Sequence, residues 1–203
     1  MIVKTMVCLL LHVSVFAQEK MIEHYANGKV RSEGIVVNGQ KEGKWEYFSP
    51  SGTLLAVEHF MHGMLQGTVT YFYSDGGIQG IENWEQGGLE DSSTYFYPNG
   101  AKERIGVYRM SQYDGEWKYF HSNGQVERIL YYKDGLPQGE VKMFNENGVL
   151  VQEGFYEGGK EHGLWKFYDE EGKLMYSGEY KHGERTGEWF QYDKKGKKKT
   201  WKY

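Results

Sequence analysis

The sequence predicts an all-β protein: an elongated antiparallel meander of about eight 24-residue β-hairpins in a single sheet. Three glycine series carry that prediction. Gly43, Gly67, Gly115, Gly139, Gly163 and Gly187 lie on one 24-residue lattice that Asp91 interrupts. Gly28, Gly52, Gly76, Gly100, Gly124, Gly148, Gly172 and Gly196 follow the same period without a break. Gly39, Gly63, Gly87, Gly135, Gly159 and Gly183 form a third series in which Ser111 is the exception. A fixed period with no insertion or deletion marks a repeat array, in which each unit is one supersecondary element.

Residues 1–17 stand before the array. Lys4 gives a positive start, Met6 to Phe16 an apolar run, and Val15-Phe16-Ala17 a small-residue cleavage site, the pattern of a signal peptide with Gln18 as the new N-terminus. The run is too short to span a bilayer as a helix. Cys8, the single cysteine, would leave with it, so no disulfide is expected in residues 18–203. The net charge is −4, and loss of Lys4 makes it −5, which disfavours nucleic acid as a partner.

Within a unit, the first and tenth positions are the first two glycine series. Between them the third, fifth and sixth positions are aromatic, as in Trp45, Tyr47 and Phe48 or Trp117, Tyr119 and Phe120, which predicts a short strand. A second strand follows the tenth position, apolar at the twelfth and eighteenth, as in Val126 and Tyr132. Tyr97-Pro98-Asn99-Gly100 and Ser49-Pro50-Ser51-Gly52 suit a type I turn closed by a left-handed glycine. The tenth-position glycines are therefore structural turn residues. The connection between units, such as Asp134 to Gly139, reads as a glycine-bracketed loop. No helical periodicity appears. Hairpins that cannot bury their aromatic side chains alone must pair edge to edge, and eight of them would extend roughly 75 Å.

The units run 19–42, 43–66, 67–90, 91–114, 115–138, 139–162, 163–186 and 187–203. The first is a weak, cap-like repeat, with Met21, Glu23 and His24 at aromatic positions. The fourth departs most: Asp91 and Ser111 replace landmark glycines and Ser93 replaces an aromatic residue or valine. That unit reads either as neutral drift or as a bend or partner site. The last ends in Lys194, Lys195, Lys197, Lys198, Lys199 and Lys202, which read either as guarding a sheet edge against pairing or as an electrostatic contact for an acidic surface polymer, lipid headgroup or acidic protein.

No catalytic constellation emerges. His62 and His182 share a unit position about 50 Å apart, and His59, His121 and His162 lack cysteine partners or tight carboxylate spacing. The glycine pairs lack the lysine and helix of a phosphate loop. The expectation is no enzyme, no metal and no cofactor. Tyr108, Tyr132, Tyr156 and Tyr180 repeat at the eighteenth position, either as packing or as an exposed aromatic strip that binds peptide or sugar.

The run Gly163-Leu164-Trp165-Lys166-Phe167-Tyr168 through Gly172, Tyr180 and Gly183 resembles the bacterial MORN repeat variant. The resemblance covers residues 19–203. It implies an extended hairpin sheet acting as an interaction scaffold, and proteins of this look are commonly labelled YwqK-type antitoxins. The expected function is a non-catalytic scaffold, secreted or periplasmic, that holds a protein partner. The alternatives are an antitoxin or immunity protein, and a binder of cell wall or carbohydrate. Nucleic acid and a membrane span are not expected.

Overall fold

The computed structural model describes residues 17–202, so the predicted signal peptide lies outside the described residues except for Ala17. Nineteen strands form one open sheet, and no helix occurs among the described residues. Every unit sends out one strand and returns by another. The returning strands Val30–Val37, Leu54–Met61, Ile78–Glu85, Lys102–Arg109, Val126–Lys133, Leu150–Glu157 and Leu174–Lys181 begin 24 residues apart. The outgoing strands Gln40–Phe48, Gln112–Phe120, Lys160–Tyr168 and Glu184–Tyr192 keep the same phase. Three more are split by one residue, as in Met64–Leu65 followed by Gly67–Phe72. Pairing joins successive strands antiparallel from Gln18–His24 at one edge to Lys198–Trp201 at the other.

The two connections of each unit differ, and one departs from the sequence expectation. At the tenth-position glycine, the N–H of Gly124 donates to the His121 carbonyl at 2.8 Å and the His121 N–H to the Gln125 carbonyl at 2.9 Å. With Gly124 at φ +86°, this is the expected type I turn with a left-handed bulge residue. The connection between units is not a loop. Pairs such as Asn38-Gly39, with φ +51° and +77°, make two-residue turns of the mirror-image type, whose twist matches that of the flanking strands. The residues after them are already strand, as Tyr132↔Pro137 and Lys133↔Leu136 show.

The first-position glycine therefore lies inside a strand, as a left-handed residue at a bulge, for example Gly115 at φ +64°. In the fourth unit Asp91 and Ser111 hold the glycine conformations, at φ +67° and +62°. The Asp91 carboxylate accepts the Ser92 N–H at 2.7 Å and the Ser111 hydroxyl accepts the Leu89 N–H at 3.0 Å. The Asp91 bond is local and the Ser111 bond reaches the preceding unit; such short polar side chains tolerate positive φ, so this unit keeps the common backbone.

One face of the sheet carries the core. Trp45, Trp117, Trp165 and Trp189, all third-position residues, are 1% exposed or less. Each lies over a glycine of the preceding strand. A Cβ added to Gly34, Gly106, Gly154 or Gly178 would come within 2.2–2.3 Å of the facing indole. The indole N–H groups of Trp45, Trp117 and Trp165 donate to the carbonyls of Ile35, Val107 and Phe155 at 3.0–3.2 Å. At the other joints the sizes reverse: Glu58 faces Val69, Glu82 faces Ser93 and Leu130 faces Val141. At every joint between units a large side chain on one strand meets a small one on the next, which lets a single layer pack closely without a second sheet.

Both turn columns are stitched from unit to unit. The hydroxyls of Tyr25, Tyr73 and Tyr97 donate to the carbonyls of Phe48, Phe96 and Phe120 at 2.6–2.8 Å. Along the opposite column, the side chains of Glu42, Gln66, Glu90 and Gln138 accept the N–H of His62, Gln86, Met110 and Gly158 at 2.8–3.0 Å.

Candidate interaction surface

The tyrosines at the eighteenth position lie on the tryptophan face. Tyr108 is 8% exposed, and Tyr132, Tyr156 and Tyr180 are half-buried. Tyr108 meets Trp117 edge-on at 5.0 Å, Tyr156 meets Trp165 at 5.2 Å, and Tyr180 meets Trp189 at 5.1 Å. Tyr113 stacks on Tyr108 at 5.1 Å and lies 5.0 Å from Tyr132. These rings interlock in packing geometry. Their hydroxyl environment is correspondingly dry: burial, then hydrogen bonds with Tyr95 and Tyr113, raises the Tyr108 phenol well above its usual range. Burial and the Glu82 carboxylate, which accepts the Tyr95 hydroxyl at 2.6 Å, push Tyr95 up to about 12.

Successive side chains of a strand alternate faces, so the seventeenth position points the other way. There Val107, Tyr131 and Phe155 of three consecutive units are exposed, with Leu164 beside them at 52% exposure. Glu116 stands opposite Tyr131, Glu140 opposite Phe155, and Lys118, Lys142 and Lys166 hold the adjoining row. The Tyr131 hydroxyl donates to Glu116 at 2.6 Å, and that bond, followed by Lys118, holds the Glu116 carboxyl below the usual range. Glu153 accepts from the Tyr168 hydroxyl at 2.7 Å and from Lys166 at 2.9 Å, and is lowered for the same reasons in that order. A depression of about 330 Å³ opens between Glu140, Lys142, Phe155, Leu164 and Lys166. The surface is a line of exposed apolar side chains bordered by partly neutralised charge, the composition of a docking face.

Sequence reasoning placed binding capacity on Tyr108, Tyr132, Tyr156 and Tyr180 and missed the residue immediately before three of them. The signal was available: Val107, Tyr131 and Phe155 are apolar at a position where other units carry His59, Asn83 or Glu179. It also treated the histidines one unit at a time. The fold brings His162, the twenty-fourth residue of one unit, against His182, the twentieth of the next, with ring centroids 5.4 Å apart. Glu157 lies 3.2 Å from His162 Nδ1. His62 and His182, compared on position alone, belong to distant units and do not meet.

The MORN repeat variant model matches four stretches, residues 41–62, 113–134, 137–157 and 161–182. Each is a hairpin centred on a tenth-position glycine turn. These four stretches are MORN repeat variants. Such repeats are generally interaction scaffolds and are typically non-catalytic. No curated protein matches the chain. Solved structures with local similarity include a mutant of S. aureus TarM in complex with Fondaparinux, alpha-GlcNAc-glycerol and UDP. It is 15% identical over 47% of this chain and 19% of that one, with a TM-score of 0.32. The TcdB2-TccC3-Cdc42 structure is 10% identical over 86% of this chain and 13% of that one, with a TM-score of 0.21. A mutant Tc holotoxin pore of Photorhabdus luminescens is 12% identical over 89% and 12%, with a TM-score of 0.25. The repeat array spans less than a fifth of each of these chains.

Proposed function

We propose that this repeat array is a non-catalytic scaffold that holds a protein partner against the open face of its central units. The observation that supports it is the exposed line Val107, Tyr131, Phe155 and Leu164 on the face opposite the tryptophans. The opposite face is filled by its own rings, so the sheet has one face for stability and one for recognition. The lysine row Lys118, Lys142 and Lys166 beside the apolar line suits a partner segment with apolar residues next to carboxylates.

The test compares the wild-type protein with a Phe155→Asp, Leu164→Asp variant as bait, after circular dichroism has shown that the variant keeps its β-structure. A partner with a Kd below about 100 µM, about −5.5 kcal/mol, is expected to bind the wild type and to be lost from the variant. Equal recovery by both proteins would remove the proposed face.

Residues 1–17 support action in the bacterial envelope or outside the cell. Mass spectrometry of the N-terminus after fractionation tests this. A chain starting at Gln18 outside the cytoplasm is the expected result, and an intact Met1 in the cytosol would refute it.

A further inference from the structure

In four units the twenty-fourth residue, Glu42, Gln66, Glu90 or Gln138, does a structural task by accepting an N–H of the neighbouring turn. At the corresponding place between the sixth and seventh units stands His162, and its ring turns to the ring of His182. His182 occupies the first residue of a two-residue turn at φ +53°, a position that Asn38 fills elsewhere without strain. His162 thus replaces a residue that serves the backbone, while His182 shares its turn position with His62, at φ +52°. The nineteenth residue of the same unit supplies the third group, Glu157, whose Oε2 is 3.2 Å from His162 Nδ1. One ligand atom from each of Glu157, His162 and His182 lies within 4.8 Å of the others.

We propose that Glu157, His162 and His182 form a surface site for a divalent transition-metal ion of the zinc type. Two imidazoles and a carboxylate are the donor set that such ions favour over calcium or magnesium. Ligand atoms about 2.0–2.2 Å from a tetrahedral zinc ion lie about 3.4 Å from one another, so closure needs movements on the order of 1 Å. The half-exposed Glu157 and the exposed His182 have room for them, while His162 is anchored in the Lys160–Tyr168 strand opposite Phe155. Three protein ligands leave a fourth position to water or to a donor from a partner. No other pair of adjacent units places two histidines and a carboxylate at these positions. The site borders the apolar line through Phe155 but does not depend on the scaffold reading.

The experiment titrates Zn²⁺ alone into the tag-free protein by isothermal calorimetry, beside His162→Gln and His182→Asn. Both substitutions copy residues found at the equivalent positions of other units, Gln66 and Asn38, so the turn keeps its geometry. One zinc per chain is expected, weakened by at least about tenfold in either variant, with unchanged circular dichroism. Replacement by Co²⁺ in the wild type should give visible bands of a low-coordination complex. No uptake by the wild type, unchanged affinity in both variants, or a Co²⁺ spectrum of the hydrated ion would each overturn the site.

Discussion

Gly154→Ala is the sharpest test of how a one-layer sheet closes its core. The backbone at 154 lies outside the left-handed region, so on conformational grounds alone alanine should stabilise the strand by about 0.5–1 kcal/mol. Packing predicts the opposite. The new Cβ would come 2.2 Å from Trp165 Cδ2 and 2.4 Å from Cε2, where ordinary carbon contacts lie at about 3.5–4.0 Å. The indole must recede by more than 1 Å, yet it is 1% exposed and edged by Tyr156 and Tyr180 at 5.2 and 5.8 Å. Overpacking of this kind costs about 1–3 kcal/mol, and loosening the bond to the Phe155 carbonyl adds about 1 kcal/mol. After the backbone gain, a net loss of about 1–3.5 kcal/mol is expected, read as a lower urea midpoint at unchanged m. A companion pair, Gly154→Leu with Trp165→Val, copies the Leu130 and Val141 joint. Each single change should cost about 3 kcal/mol or more, and the double should cost less than their sum by at least about 1.5 kcal/mol. A neutral or stabilising Gly154→Ala, or strict additivity in the double, would refute the size-matching argument.

Three further outcomes are expected. Gly124→Val should lose about 1–3 kcal/mol because nothing crowds its Cβ and the penalty is wholly that of positive φ, while Gly124→Asn should lose clearly less. Equal losses in thermal melts would contradict the left-handed turn. Ser93→Val should raise stability by about 1 kcal/mol in urea unfolding, since the Ser93 hydroxyl is buried without a hydrogen-bond partner and Val69 occupies the same position facing Glu58. A loss would refute this. Stability should hold up to about pH 10 and fall between about 10 and 12, because the unfolded chain releases the Tyr95 proton near 10 while the folded chain holds it to about 12. Burial shifts Tyr47, Tyr71 and Tyr119 in the same direction. A midpoint of denaturation that stays flat across that window would sink the argument.

The 24-residue frame, the hairpin and the left-handed tenth glycine were legible because turn geometry permits few residues and repetition multiplies a weak signal. The two-residue turns were not, since Asn38-Gly39 was read together with the glycine four residues on, and a bulge glycine within a strand looks like a loop boundary. Asp91 and Ser111 appeared as defects because the side-chain bonds they make to the backbone, one to the next residue and one to the preceding unit, leave no periodic trace. The series Gly34, Gly106, Gly154 and Gly178 escaped notice for another reason. It is intermittent, and its logic appears only when each member is read against the third residue of the following unit. The pairing of His162 with His182 is hidden in the same way, because its members belong to different repeats.

The alternation of glycine under tryptophan with larger residues over valine or serine gives the array a kind of grammar. Of the seven joints, those entered from Gly34, Gly106, Gly154 and Gly178 accept an indole, while those entered from Glu58, Glu82 and Leu130 accept only a small side chain. Removing residues 163–186 would bring Gly154 to Trp189 and preserve a matched joint. Removing residues 115–138 would set Gly106 against Val141 and leave a void where an indole belongs. Repeats of identical length and backbone are thus not interchangeable words, and the array can gain or lose units only where the size code on both sides agrees.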